Sequence, residues 1–186
     1  MPENISKFLN DIDSGDSFTA FEAAKKIAGN TVLQKEIDEL ARVAFNGNEI
    51  HNREAAVYAL SWIKNRDLSL GILINLLAAS DIHESVRGHA AEGIGIIAPS
   101  NKNKHRQLAE TTLLRSLADA SPVVRFWSCY AAGQIKMEKA LPALHELKST
   151  DHEVCPGWWY VSEEAEDAIE WINGRKGKDR APVNDR

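Results

Sequence analysis

A twelve-residue segment that ends in isoleucine occurs five times in this chain, and its spacing is the strongest constraint on the fold. The copies begin at residues 16, 52, 86, 124 and 161. The eighth position of every copy is Ala or Gly, and the fifth is Ala or Ser. The starts are 34 to 38 residues apart. A near-constant period of this length is typical of supersecondary units that stack in a row. The repeat therefore predicts a solenoid rather than a single globular core.

Each copy predicts one helix, because mostly small or apolar residues at positions 5, 8, 9 and 12 share one face at helical spacing. Other amphipathic segments lie between the copies, and turns rich in Gly, Asn and Pro separate them, including one at 99–103. No useful stretch alternates with period two, so an all-α fold is expected. The predicted outer helices lie near 5–12, 32–45, 68–79, 106–117 and 139–147, and the recurrent helices near 16–27, 52–63, 86–97, 124–135 and 161–172.

The start of the recurrent helix carries a family pattern. Val86-Arg87 follows the turn residue Asp81, Val124-Arg125 follows Asp119, and Asn52-Arg53 is a variant of the same step. This pattern resembles that of HEAT-like repeats of the phycobilisome-lyase (PBS-lyase) type. The resemblance implies a right-handed α-solenoid of about five helix pairs. It also implies a ladder in which the three arginines bond turn aspartates, which makes a structural role for them the preferred interpretation.

The charge is distributed unevenly between the repeats and the end of the chain. The formal net charge is −5, while residues 173–186 hold five Lys/Arg and two Asp, so the remainder carries −8. We assign residues 1–174 to the array and expect residues 175–186 to be a disordered basic tail. An acidic body argues against nucleic acid and favours a basic protein partner. A charge that serves only solubility is the alternative.

The sequence also bounds where the protein resides. No apolar run approaches the roughly 18 residues of a membrane span, and the first residues do not form a secretory signal. Two cysteines make neither a disulfide framework nor a metal set. Cys129 matches apolar residues of other copies and is expected to be buried, whereas Cys155 falls where exposure is possible. A cytoplasmic protein without a membrane partner is the simplest interpretation.

The candidate binding surface follows from the repeat register. In HEAT-like arrays the recurrent helices line the concave face, so positions 4, 7 and 11 of each copy are expected to be exposed. Several of these positions are aromatic, which is typical of an interaction surface. Packing of those rings between neighbouring recurrent helices is the alternative. The candidate partner-binding residues are Tyr58, Trp62, His89, Glu92, Trp127, Tyr130, Trp158, Trp159, Glu163, Glu164, Asp167 and Trp171.

Residues 151–160 depart most from the repeat. The segment reads DHEVCPGWWY and places two tryptophans and a tyrosine beside the acidic start of the last helix. It forms either an edge that contacts a partner or an aromatic cap over the end of the hydrophobic stack.

Known catalytic relatives of the repeat fit this chain poorly. Deoxyhypusine hydroxylase, a HEAT-like iron enzyme, has His–Glu dyads inside its recurrent helices. Here His83-Glu84, His145-Glu146 and His152-Glu153 fall in turns or on an outer helix, so no metal site is expected. HEAT-like DNA glycosylases need a basic groove for DNA, whereas the groove of this chain is expected to be acidic, which argues against that activity. His89 and Glu92, three residues apart, form a surface pair in the preferred interpretation, with an acid–base pair as the alternative.

These observations predict a non-enzymatic, protein-binding module without a cofactor. The favoured role is a cognate inhibitor, such as an immunity protein that covers the basic cleft of a toxin or nuclease. Two other roles stay open: an adaptor in a larger complex, and a subunit that resembles the bilin lyases, which share this repeat type.

Overall fold

The computed structural model of the protein describes residues 5–98 and 104–185. Within those residues the chain forms ten α-helices and two 3₁₀ segments, with no strand beyond an isolated bridge between Val154 and Tyr160. The helices are α1 (Ile5–Ser14), α2 (Ser17–Ile27), α3 (Gln34–Asn46), α4 (Ile50–Trp62), α5 (Arg66–Ala78), α6 (Glu84–Ile97), α7 (Lys104–Ser116), α8 (Pro122–Gln134), α9 (Leu141–Thr150) and α10 (Val161–Ile172).

The ten helices are the five predicted pairs. Odd-numbered helices are the outer ones, and even-numbered helices are the recurrent ones that contain the repeated segment. Each recurrent helix packs against its own outer partner and against the recurrent helix of the next pair. The predicted all-α solenoid is therefore confirmed. The predicted turn at 99–103 lies outside the described residues.

Small residues on the recurrent helices set the curvature of the stack. A Cβ added to Gly95 would lie 2.9 Å from the Ala131 Cα, and one added to Gly133 would lie 2.9 Å from the Ala168 Cα. Backbones of successive recurrent helices thus touch through positions 10 and 8 of the repeat. Successive outer helices contact one another less. The array consequently curves toward α2, α4, α6, α8 and α10, and these helices line its concave face.

An arginine ladder joins the last three repeats, as the sequence pattern predicts for two of its three members. Arg87 forms an ion pair with Asp119 of the following repeat, and Arg125 Nε donates to Asp151 Oδ2 at 2.6 Å. Both partners sit in the turn between the helices of the next pair. Arg53 departs from the prediction, since its Nε donates to a main-chain carbonyl within its own pair.

The C-terminal segment 175–185, which was expected from its composition to be a disordered tail, lies against α10 in the structure. Arg180 Nε donates to Asp167 Oδ2 at 2.7 Å, and the Lys178 main-chain N–H donates to Asp167 Oδ1 at 2.8 Å. Lys178 Nζ also lies 2.6 Å from Glu166 Oε2. The charges that suggested disorder are the groups that contact α10, because they pair with the buried Asp167 and the partly buried Glu166.

Those acids occupy the surface through which other copies face the next repeat. In the third copy, Gly88 and Gly95, at positions 3 and 10, lie against α8. The last copy has Glu163, Glu166 and Glu170 at positions 3, 6 and 10. A charged face binds the basic segment and cannot bury against another apolar helix. The C-terminal segment therefore covers this face of α10.

Candidate functional site

Two adjoining cavities follow the concave face from α2 to α10. The smaller, of about 210 Å³, is lined by Phe21, Tyr58, Ser61, Trp62, His89, Glu92, Ile96, Trp127 and Trp158. The larger, of about 260 Å³, is lined by Glu92, Phe126, Trp127, Tyr130, Trp158, Trp159, Glu164, Asp167, Trp171 and Lys178. Three residues line both cavities, so they form one continuous groove, which we call the aromatic groove.

The rings of the groove pack edge to face. Trp127 lies 5.6 Å from Tyr130 and 5.2 Å from Trp158 between ring centroids, with interplanar angles of 80° and 81°. Tyr130 meets Trp171 at 5.8 Å and 90°. Edge-to-face pairs are favourable, and they hold each ring in a defined orientation. The walls of the larger cavity are therefore preformed.

Segment 151–160 supplies the outer wall of this cavity. Gly157, with φ +80°, allows a tight turn in which the Cys155 N–H donates to the Trp159 carbonyl. The turn brings Trp158 and Trp159 back over Phe126, a position-3 residue that is 1% exposed. This segment therefore covers the end of the hydrophobic stack. Trp158 also lines both cavities of the groove, so the cap and the groove share one ring.

Three carboxyl groups line the larger cavity, and they differ in environment. Glu92 is half-exposed, and its Oε2 lies 3.2 Å from His89 Nδ1. Asp167 is 2% exposed and is paired with Arg180. Glu164 is 1% exposed, and its Oε2 accepts a hydrogen bond from Trp159 Nε1 at 2.9 Å. Burial raises the pKa of Glu164 to about 8.

The structure brings together all but one of the predicted site residues. Trp62 and Trp158 are 42% and 39% exposed. Glu163 does not line the groove, because it caps the start of α10 and pairs with Arg180 on the terminal face. The half-buried members of the predicted set are Tyr58, His89, Glu92, Tyr130, Trp159, Glu163 and Trp171.

Three of the candidate residues that were predicted to be exposed are buried, and so is Ala55 at position 4 of the second copy. Trp127 is 8% exposed, and Glu164 and Asp167 are buried as above. A Cβ on Gly88 would lie 2.9 Å from Trp127 Cδ1. The Trp127 side chain, at position 4, therefore packs over Gly88, at position 3 of the preceding copy, instead of facing solvent. Asp167 is covered by the C-terminal segment. All three residues still line the groove, and their role in binding stays a prediction.

Other lining residues were outside the predicted set. Phe21, Ser61 and Phe126 occupy positions 6, 10 and 3 of their copies, which were not expected to face the groove. Lys178 belongs to the segment expected to be disordered. The sequence holds one signal that could have identified Phe21 as a groove residue, because Phe21 is much larger than Val57 and Ala91 at the same position of other copies.

The two cysteine thiols are buried, and burial disfavours their ionisation. Cys129 is buried, as expected, and burial raises the pKa of its thiol well above the ordinary value. Cys155 is 2% exposed, contrary to the exposure considered for it, and burial raises its pKa to about 12. Within the described residues, no group of three His, Cys, Asp or Glu side chains is arranged to hold a metal ion. His83 instead caps α6 by accepting from the Ser85 N–H.

No helix in residues 5–98 and 104–185 has the length and apolar character needed to cross a membrane.

Comparison with known proteins finds a similarity to a repeat family over part of the chain. Residues 72–156 match the family model of HEAT repeats. No curated protein matches the chain. The match covers α6 and α8, which carry the Val-Arg steps of the ladder.

Solved structures share the solenoid over most of its length. A chain in the complex of CpcE and CpcF of phycocyanin lyase from Nostoc sp. PCC7120 superposes with a TM-score of 0.70 at 19% identity. The alignment covers 89% of this chain and 97% of that one. A designed armadillo repeat protein in complex with the peptide (KR)4 superposes with a TM-score of 0.55 at 22% identity, covering 91% and 82%. Identities this low establish the shared fold alone.

Proposed function

We propose that this chain, a HEAT-repeat protein, binds another protein through the aromatic groove on its concave face. The observation that carries the proposal is the convergence of preformed aromatic rings and acidic side chains in one groove. Trp and Tyr bury large areas with few rotatable bonds and are enriched among residues that dominate binding energy. Trp62 and Trp158 keep about two fifths of their surface exposed. That accessible area is what a partner would cover.

The charge of the groove supports a basic partner. Glu92 lies on its wall, Glu164 adds a carboxyl group that can ionise when a cation approaches, and the chain as a whole carries −5. The C-terminal segment neutralises Asp167 and the terminal face of α10, so these acids contribute less. Complementary charge raises association rates and selects against acidic partners such as nucleic acid.

The role that best fits an acidic binding module with an aromatic groove is cognate inhibition of a basic toxin, such as a nuclease. A nuclease cleft is positive because it binds phosphate, and an acidic aromatic surface complements it. In this proposal the protein is not an enzyme, needs no cofactor and acts in the cytoplasm, where two buried free thiols are in keeping with a reducing compartment.

Capture of the partner with the full chain, followed by reconstitution from purified components, tests the proposal. Binding should weaken strongly between about 0.05 and 0.5 M salt if charge contributes. The variant carrying Trp62→Ala and Trp158→Ala should bind at least tenfold more weakly and should keep its helical circular dichroism. Leu108→Ala is the matched control, because Leu108 is 50% exposed on the outer helix α7. Equal binding by the double variant and the control would rule out the groove.

A subunit role in a larger assembly is the second candidate. It is favoured by the superposition that covers 97% of a chain from the two-component phycocyanin lyase complex. Native mass spectrometry of the captured complex separates the alternatives. One tight basic partner whose activity is suppressed supports inhibition, and several weak partners support an adaptor. A coloured tetrapyrrole in the complex would instead support a lyase-like subunit.

A further inference from the structure

A buried carboxyl group in the larger cavity of the aromatic groove lacks one hydrogen-bond partner. Glu164 uses Oε2 to accept from Trp159, while its Oε1 has no partner among the described residues. A buried polar atom without a partner is costly and therefore uncommon. Since Glu164 lines the cavity, a ligand with N–H or O–H donors is the missing component.

The walls around this carboxyl group are suited to a cation. Trp127, Tyr130, Trp158 and Trp171 all line the cavity. The face of an aromatic ring attracts positive charge, and a planar guanidinium can also stack on it. A neutral donor would satisfy the carboxyl oxygen but would not use the rings.

The protein's own cations do not fill this place. Lys178 lines the cavity, but its Nζ lies 2.6 Å from Glu166 Oε2 on the terminal face of α10. Arg180 donates to Asp167 and Glu166. Neither forms a hydrogen bond with Glu164, so a cation for this carboxyl group must come from another molecule.

We propose that this cavity receives one arginine side chain of the partner protein, whose guanidinium donates to Glu164 and lies against the surrounding rings. The inference rests on the proposed function and specifies the chemistry of its central contact. The last torsion of a glutamate side chain is broad, so the carboxyl group can turn toward an incoming donor. The geometry assigns the guanidinium to Glu164 Oε1 and leaves the Trp159 bond to Oε2.

Size and donor chemistry separate arginine from other ligands. Cavities for drug-sized ligands span about 300 to 1,000 Å³. The larger cavity by itself is about 260 Å³, which is enough for a single side chain. A quaternary ammonium group would use the rings but has no N–H for the carboxyl oxygen. Lysine would donate, but a compact and strongly hydrated ammonium stacks poorly on the rings.

Binding should be coupled to release of a proton from Glu164. Burial holds its pKa near 8, so the group is largely neutral at pH 7. A guanidinium beside it stabilises the charged carboxylate and lowers that pKa. Charged or titratable groups that face Glu164 are Glu92 on α6, Cys129 and Tyr130 on α8, Cys155 in segment 151–160, Asp167 on α10, and Lys178 and Arg180 in the C-terminal segment.

The test uses the full chain and two small probes, N-acetylarginine amide and its citrulline analogue, which has nearly the same shape but no charge. Binding is measured by tryptophan fluorescence and by the ¹⁵N indole signal of Trp159. We expect saturable binding of the arginine probe and at least tenfold weaker binding of the citrulline probe. Affinity should rise by up to tenfold per pH unit toward pH 8, with release of a proton.

Glu164→Gln is the decisive variant, and Glu138→Gln is its control because Glu138 is exposed and remote from the groove. Glu164→Gln should lose at least tenfold in affinity for the arginine probe, whereas the control should not. Equal binding of the two probes by the unaltered chain would overturn the inference, and that comparison does not depend on any variant folding. Loss of the partner complex in the Trp62/Trp158 variant but not in Glu164→Gln would overturn the arginine site and leave the proposed function intact.

Discussion

Replacement of Arg125 by alanine should measure how strongly the arginine ladder joins the last two repeats. The Arg125 side chain is 11% exposed, and that of its partner Asp151 is 7% exposed. Arg125 Nη1 also donates to the carbonyls of Asp119 and Ala120 at 2.7 and 3.0 Å. Arg125→Ala therefore leaves one buried carboxylate and two carbonyls without their donor.

The expected loss follows from these contacts. Removing one partner of a buried ion pair costs about 3 to 5 kcal/mol, because the other charge stays buried. Glu153, the second acid on Arg125, is 63% exposed, and such exposed pairs contribute roughly 0 to 1 kcal/mol. Since water can enter the vacated space, we expect a loss of about 3 to 4 kcal/mol in the free energy of unfolding. This corresponds to a fall of roughly 6 to 16 °C in Tm.

Urea unfolding followed by tryptophan fluorescence is the direct assay, because four of the five tryptophans lie at residues 127–171, in the last two repeats. Glu153→Ala is the control and should cost less than about 1 kcal/mol. Adding Asp151→Asn to Arg125→Ala should restore part of the lost stability, because it removes the uncompensated charge. A loss below about 1 kcal/mol for Arg125→Ala would refute the argument, since it would mean that the pair is hydrated or exchangeable in solution.

Three further predictions concern packing and pH. Gly133→Ala places a Cβ 2.5 Å from Trp171 Cε3 and should lower the free energy of unfolding by about 1 to 3 kcal/mol in urea. Gly71→Ala, whose Cβ would have its nearest neighbour at 4.0 Å, should raise it by about 0.5 to 1 kcal/mol. If both variants changed the free energy of unfolding in the same direction, the packing argument would be contradicted. Burial raises the pKa of Glu164 from its ordinary value of 4.5 to about 8, so the free energy of unfolding should fall as pH rises from about 4.5 to 8. Glu164→Gln should abolish this pH dependence and stabilise the protein at pH 7 by roughly 1 to 3 kcal/mol. Hydrogen bonds from Lys178 and then Arg180 lower the pKa of Glu166 to about 2, so its contribution is present above pH 4.5 and should be lost as pH falls toward 2, seen as loss of hydrogen-exchange protection in the C-terminal segment.

The repeat register predicted the helices because helix formation and stacking use the same few residues. Position 8 must be small wherever backbones touch, as where Ala131 meets Gly95 and Ala168 meets Gly133, and its conservation as Ala or Gly in all five copies is visible in one sequence. The ladder role of Arg87 and Arg125 could also be predicted, because both lie in the first turn of a recurrent helix and both have an acid in a nearby turn. The sequence did not identify Asp151 as the ion-pair partner of Arg125, because segment 151–160, which precedes the last recurrent helix, departs from the repeat pattern.

The candidate site was predicted less well because burial there depends on groups outside the repeat. Position 4 was expected to be exposed from helical geometry alone. Trp127 is buried because the preceding copy has glycine at position 3 and because Trp158 covers it. Asp167 is buried because Arg180 returns thirteen residues later to pair with it. Composition suggested that this segment was disordered, since its charges have no evident partner until α10 is seen in three dimensions.

The arrangement separates residues that build the array from residues that form the groove. Small residues and the arginine ladder hold successive helices together, and neither set requires a carboxyl group at Glu164. That residue lacks a partner for one oxygen, and its burial opposes ionisation at neutral pH. Glutamine could accept the same hydrogen bond from Trp159 without that cost, so stability alone does not account for a glutamate. A role in binding does account for it, because an ionised carboxylate attracts a cation with a full negative charge, which neither a glutamine nor the aromatic rings carry. This is the reason to expect that Glu164→Gln strengthens the fold while it weakens binding.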